Sequence, residues 1–404
     1  MTNCAIAYVG AVETGARVHY DPFSYELHDD PYPVYRRLRD EAPVWRNEEQ
    51  GFWTLARHDD VLQASVDWST FSSAEGTTLE RVRGEMIISM DPPDHTRLRR
   101  LVSRAFTPRR IAELESFIRT LTRGYLEPLA RQGGADVVRD LSARLPINVI
   151  SELMGLPEEH RETVREHSDR LLHREPDQRR MEAVNLDAGR DLGILVWGVV
   201  AERRRRAEAA NGETGSDLID VLIEADLTDP ELIGFCLLLV VAGNETVTKL
   251  VANAAIALHR FPDQRQLLLD RPDLIPNAVE ETLRWDAPSQ FQGRTLTRDV
   301  ELHGITMPAG DFVLLLTGSA NRDEREYDDP ERFDVQRVIE RPLGFGHGPH
   351  VCLGAALARM ETRVAVEELL RLFPDFEVDE SRVVRMHSSN VRGLSSVPIS
   401  FTPR

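Results

Sequence analysis

Lysine is almost missing from this chain: of 49 basic residues only Lys249 is a lysine, a bias toward arginine that fits a GC-rich genome. Acids number 67, leaving a formal charge of -18 at pH 7. That balance argues against a nucleic-acid binder, which needs a net basic face to neutralise phosphates, although it leaves room for local basic patches. Cysteine is scarce too: Cys4, Cys236 and Cys352 are odd in number and far apart. This excludes a disulfide framework and fits a reducing cytoplasm. The strongest apolar run, Leu237 to Gly243 with its flanks, falls short of the roughly 20 residues that cross a bilayer, so no membrane span is expected. The short apolar stretch after Met1 lacks a preceding basic region, so no signal peptide is read. No low-complexity linker and no internal repeat divide the chain. Residues 1–404 are therefore expected to form one domain behind a loosely ordered arm over 1–20.

What is present is mostly helix signal. Asp91 is expected to cap a helix with Pro92 at its first position and Asp94 in the first turn, ending near Phe106. From Pro108 to about Ala225 helix follows helix, with a polar break over Asn211-Gly212-Glu213-Thr214-Gly215. Asp229-Pro230-Glu231 opens a long helix to about His259 whose middle is apolar on nearly every face, the mark of a helix buried in a large core. A further helix covers Leu274 to Arg284, and strand-like segments include Phe52 to Leu55, Asp299 to Thr306 and Phe312 to Leu316. The fold class is mainly α with a smaller β portion.

One segment stands apart. Phe345-Gly346-His347-Gly348-Pro349-His350-Val351-Cys352-Leu353-Gly354 isolates a cysteine in a stiff, glycine-punctuated loop and runs into a helix-forming stretch from Ala355. A sulfur at a helix N-terminus is favoured as thiolate. A buried structural thiol is the ordinary reading of a lone cysteine, but the glycines around His347 suggest a backbone shaped for close approach. A zinc site needs more ligands at short spacing, and the nearby histidines are badly placed for a cysteine hydrolase. A metal held by one protein thiolate remains, and haem iron with an axial cysteine fits it.

The stretch from Phe345 to Gly354 resembles the haem-binding signature of the cytochrome P-450 family, and other segments match in order. Glu281 and Arg284 resemble the family's Glu-x-x-Arg element, which supports the haem from beneath. Asp329 to Phe333 resembles the meander that completes that network, with the third member open between Arg332 and Arg337. Ala242-Gly243-Asn244-Glu245-Thr246 resembles the oxygen-activation groove. A glycine there weakens the helix and a threonine can bond back to the preceding turn. His95 and Arg99, four apart on one helix face, match the haem propionate pair, and Arg294 and His350 match two further propionate contacts.

The resemblance implies a P-450 fold, with haem b (iron protoporphyrin IX) between the long central helix and the cysteine loop. It makes Cys352 the iron ligand, packs Phe345 and Gly243 by the haem, and gives Thr246 and Glu245 the handling of oxygen and protons. The substrate pocket is expected at Leu238, Val241, Ala242, Gln290, Phe291 and Ile88, in the loop from Thr78 to Ile88 and between about Val164 and Val200, for an apolar organic molecule such as a lipid, terpenoid, steroid or polyketide. The implied activity is a monooxygenase that inserts one oxygen atom from dioxygen. Its alternatives are a haem-thiolate sensor without turnover, which needs no acid-threonine pair, and a peroxygenase or isomerase on the same fold. No Gly-x-Gly-x-x-Gly element follows a strand, so electrons are expected from a separate ferredoxin and ferredoxin reductase. Arg100, Arg104, Arg109 and Arg359 are the candidate docking patch on a cytoplasmic monomer. Cys236, Cys4 and the run Arg203 to Arg206 are left as structural or solvated positions.

Overall fold

In the computed structural model the apolar stretch around Leu237 becomes the interior of a 32-residue helix, Asp229–Arg260. Its start is defined by a capping box: Thr228 Oγ1 accepts from the Glu231 N–H and the Glu231 carboxylate accepts from the Thr228 N–H at 2.8 Å. The helix is long and apolar enough to cross a bilayer, yet 61% of its most apolar window is buried against other elements. The structure describes residues 18–403, apart from 82–85, 104–105, 176–177, 210–216 and 226. Cys4, Arg104, the Asn211–Gly215 break and nearly all of the expected 1–20 arm lie outside the described residues, as does the middle of the Thr78 to Ile88 loop.

The helices that position the site, labelled in chain order, are α1 (Asp94–Val102), α2 (Leu145–Met154), α3 (Glu158–Leu172), α4 (Ala183–Ala209), α5 (Asp229–Arg260), α6 (Ile275–Trp285) and α7 (Ala355–Leu372). The long helix α5 threads two separate cores. Its first half contributes Leu232, Phe235, Cys236 and Val240 to a cluster with Ile147 and Ile150 of α2, Val164 of α3 and Leu192 and Val196 of α4. Its second half contributes Val247, Val251 and Ala254 to a cluster with Ala278 of α6 and Leu357, Val364 and Leu369 of α7. Each fully buried aliphatic side chain is worth about 1.5–3 kcal/mol, so both halves are held firmly. Between them, at Val241 and Ala242, α5 is partly open, and Ala242 is exposed.

The β portion is small. A sheet in the order β1 (Val44–Asn47), β2 (Phe52–Leu55), β5 (Phe312–Leu315), β4 (Gln292–Leu296), β3 (Phe71–Ser72) is antiparallel except where β2 pairs with β5. Arg294 stands opposite Val313 in this register. The segment expected as one strand over Asp299 to Thr306 is a hairpin, Val300–Leu302 with Ile305–Met307, because His303 and Gly304 adopt φ 53° and 75°. Helix α1 begins at Asp94, later than expected. Asp91 does not cap it; its carboxylate instead accepts from the Ser73 N–H at 2.9 Å and from the Ser72 hydroxyl.

Candidate active site

The partly open stretch of α5 carries the groove sequence. Thr246 donates its hydroxyl to the Ala242 carbonyl at 2.8 Å, the back-bond expected of a mid-helix threonine. Glu245 is only 2% exposed, and its Oε2 lies 3.2 Å from Nζ of Lys249, one turn on. Leu238 and Val241 are half-buried on the same length of helix, and the short turn Ile87–Ser89 packs on α5 with Ile88 half-buried beside it.

The cysteine loop is built by its glycines. Gly346 and Gly348 have φ 70° and 67°, and a Cβ on Gly348 would lie 2.5 Å from the Ser65 carbonyl oxygen. The close approach read from the sequence is therefore, at Gly348, an approach to protein backbone. Cys352 donates its N–H to the Phe345 carbonyl at 2.8 Å, closing the loop just before α7. The Cys352 side chain stays exposed. Burial of the surroundings pushes its thiol up, while the Gly354 N–H and the cations of Arg99 and Arg359 pull it down. Cys236, by contrast, sits in the core, and burial pushes its thiol up to about 12. Phe345 packs with Leu250, Val279 and Leu283, and the Arg359 guanidinium lies 4.6 Å from its ring centroid.

Around Cys352 the structure gathers basic side chains. His95 of α1 is buried, with its ring 4.4 Å from that of His350. Arg99, one turn after His95, acts on the Cys352 thiol, and Arg294 and Arg99 both act on His350. Burial first, then Arg294, His95 and Arg99, drive His350 down to about 3, and burial drives Arg294 down to about 10. Among the described residues no carboxylate forms an ion pair with Arg99 or Arg294; Arg294 donates only to the Gly293 carbonyl, at 2.7 Å, and Nε2 of His350 is buried without a partner. Asp91 is an acid whose charge reaches His95 and Arg294.

Beneath the loop, Arg284 forms a doubly hydrogen-bonded pair with Glu281, both bonds 2.7 Å, with neither side chain exposed by more than 1%. Arg337 supplies the third member, donating from Nε to Glu281 at 3.2 Å. Arg332 contributes only its carbonyl, which accepts from Arg284 at 3.0 Å; its own side chain reaches out to Asp263. Asp334 adds a backbone N–H to Glu281 at 2.9 Å.

The chain resembles known proteins over most of its length. The family model described as Cytochrome P450 matches residues 196–401. A putative cytochrome P450 123 of Mycobacterium tuberculosis is 45% identical, over 95% of this chain and 97% of that protein. The chain belongs to the cytochrome P450 family. A vitamin D(3) 25-hydroxylase of Pseudonocardia autotrophica is 38% identical, over 98% of this chain and 99% of that protein. The crystal structure of CYP109E1 from Bacillus megaterium in complex with testosterone superposes with a TM-score of 0.86 at 30% identity, covering 94% of this chain and all of that one.

A cytochrome P450 is a monooxygenase that binds haem through a cysteine thiolate, and the donor set here fits that group. Two haem propionates would give Arg99 and Arg294 the carboxylates they do not pair with among the described residues, and His95 and the orphaned His350 nitrogen a polar partner; charge-assisted bonds to carboxylates are the strong kind.

Some expected site residues lie elsewhere. Phe291 is fully buried with Tyr20, Tyr35, Phe52 and Phe312, so it belongs to the core beside the sheet. Gln290 accepts from the Tyr35 hydroxyl at 3.1 Å and donates to the Ala287 carbonyl at 2.7 Å, which turns it to the same side. A Cβ on Gly243 would sit 3.3 Å from Ile150, so its smallness serves the packing of α5 on α2. Arg359 is tied to Glu280 at 2.5 Å and Arg109 to Glu113 at 3.0 Å, which leaves Arg100 as the exposed member of the docking patch without such a tie among the described residues. The sequence reading missed Lys249, whose rarity looked like base composition, and left Arg337 open against Arg332, because no spacing rule separates the two.

Proposed function

We propose that this P450 hydroxylates an apolar, lipid- or steroid-sized molecule in the cytoplasm, using Cys352 as the iron ligand and electrons from a separate ferredoxin and its reductase. The observation that carries the reading is the gathering of His95, Arg99, Arg294 and His350 around Cys352 with so little opposing negative charge. Haem, when bound, supplies the oxygen chemistry, and the protein supplies ligation, orientation and protons. The Gly354 N–H and the start of α7 favour the Cys352 thiolate. The Thr246 hydroxyl, now turned to the Ala242 carbonyl, can rotate to donate on the open side of α5. Glu245, buried one residue away, is the acid that reloads it.

Leu238, Val241, Ala242 and Ile88 line the open side with apolar surface and no charge, which favours an apolar ligand. A relative named for vitamin D(3) hydroxylation and a structural neighbour holding testosterone support ring-built lipids as the first class to try. Arg100 remains a candidate contact for an acidic electron donor. The test is NAD(P)H-dependent, oxygen-consuming product formation with surrogate ferredoxin and reductase, after a screen for compounds that shift the haem from low to high spin. Steroids and comparable lipids are expected to shift it and be hydroxylated. A shift with charged sugars alone, or turnover only with peroxide, overturns the reading.

A further inference from the structure

Glu245 is buried on α5 with the Lys249 ammonium 3.2 Å from its Oε2, and a second acid stands beside it. The Asp169 carboxyl, from α3, lies against it across the seam between the two helices, close enough for a side-chain hydrogen bond. Two facing carboxylates repel, and such a contact is stable only when one of them carries a proton. Glu245 also has a vacant acceptor: its Oε2 is buried and accepts no aligned hydrogen bond, although Lys249 Nζ stands 3.2 Å away. A protonated Asp169 is the donor that position lacks.

The surroundings define where the charge rests. Lys249, the chain's single lysine, forms an ion pair with Glu245. Its stem is confined, since a Cβ on Gly393 would fall 2.4 Å from it, and a compact ammonium suits such a slot better than a guanidinium fork. Asn244 adds a long contact to Glu245 Oε1 at 3.4 Å. On α3, Arg165 lies 2.9 Å from Asp169 but is shared with Glu162 at 2.5 Å. The residues that α4 buries are uncharged, Asn185, Ala188, Leu192 and Val196 among them, and Glu152 of α2 faces Arg161, two turns before Asp169. Asp169 keeps 45% of its side chain accessible, whereas Glu245 keeps 2%. The pair therefore runs from an accessible acid to a buried one.

We propose that Asp169 is the proton-carrying group behind Glu245, the two carboxyls sharing one proton across the α3–α5 seam and passing it toward Thr246. This rests on the reading of Glu245 and Thr246 as the proton supply. In the step, the Asp169 O–H bond breaks and its proton goes to the Glu245 carboxylate. Glu245 gives a proton to the Thr246 hydroxyl oxygen, which passes its own hydroxyl proton to the open side of α5, and the Asp169 carboxylate is reprotonated from solvent, so charge and atoms balance and no electrons move. Crowding by the surrounding protein, then the hydrogen bond and charge of Glu245, raise Asp169 to about 7 against the pull of Lys249 and Arg165. Asp169 thus holds its proton below neutral pH and loses it as pH rises through that value.

The test uses the haem-loaded protein and infrared difference spectroscopy across pH. A protonated-carboxyl band should titrate near neutrality, disappear in Asp169→Asn and shift in position in Asp169→Glu while titrating over the same range. Product formed per NAD(P)H should fall with rising pH through that range in the parent, lose the dependence in Asp169→Asn and regain it in Asp169→Glu. A band and pH profile unchanged in Asp169→Asn overturn the proposal. If that variant does not bind haem, a band in Asp169→Glu at the parent position overturns it equally. Thr246→Ala separates the two readings: if it uncouples turnover while Asp169→Asn behaves as parent, the proton supply stands and Asp169 is no part of it.

Discussion

Replacing Arg337 with Ala should destabilise the protein far more than replacing Arg332, although the two arginines stand five residues apart in one meander. Arg337 is 11% exposed and donates to Glu281, which is fully buried, at 3.2 Å, and to the carbonyls of Asp328, Asp329 and Arg332 at 2.6, 3.0 and 3.1 Å. The carbonyl bonds lie at the exposed rim, where water replaces a lost donor. The bond to Glu281 cannot be replaced that way, and a hydrogen bond to a buried charge is worth about 1.5–3 kcal/mol. Glu281 keeps Arg284 and the Asp334 N–H, so the loss stops short of the about 3–5 kcal/mol of a buried charge left alone. Arg332 is 52% exposed and pairs with an exposed Asp263 at 3.1 Å, a contact worth about 0–1 kcal/mol. Its carbonyl, the part that Arg284 uses, survives the substitution. Urea unfolding of the haem-loaded variants, compared at equal slope, should separate them by about 2 kcal/mol. Equal losses, or a larger one for Arg332→Ala, would refute the assignment of Arg337 as third member.

Gly348→Ala should lower stability by at least about 1–3 kcal/mol from its left-handed backbone alone, with the Ser65 carbonyl in the way of the new methyl; the fraction of protein that binds haem after expression reads the effect. In the haem-free protein His350 resists protonation until about 3, whereas an unfolded histidine takes up its proton near 6.5. Stability should therefore fall as pH drops from 6.5 toward 3, by up to about 1.4 kcal/mol per pH unit. Denaturation at pH 5 and 7 should show a smaller drop in His350→Gln; an equal drop assigns the effect elsewhere. Thr246→Ala should keep the haem spectrum and consume NAD(P)H without matching product, and coupling at the parent level would remove Thr246 from the proton supply.

The elements whose evidence is local were legible in the sequence. The capping box at Thr228 lay just before the expected helix, and the run from Ala355 began α7 where the apolar period starts. The Glu281–Arg284 pair follows from helical spacing. What failed depended on which way a side chain turns. Phe291 and Gln290 sit in the right segment, yet Tyr35 and Phe312 draw them to the sheet side. Asp169 lies between Val164 and Val200, where only apolar pocket walls were sought, and nothing in its neighbours predicts that α3 lays it on Glu245. Such pairings are set by how helices cross, and spacing along one helix does not report it.

The central claim is that Cys352 holds haem iron within the cage of His95, Arg99, Arg294 and His350. The most direct measurement is the absorption of the reduced carbon monoxide complex of the parent and of Cys352→Ser. The parent is expected to show the strongly red-shifted Soret band of a thiolate-bound haem, and Cys352→Ser to lack it. An unshifted parent band, or a shifted band that survives in Cys352→Ser, would contradict the account.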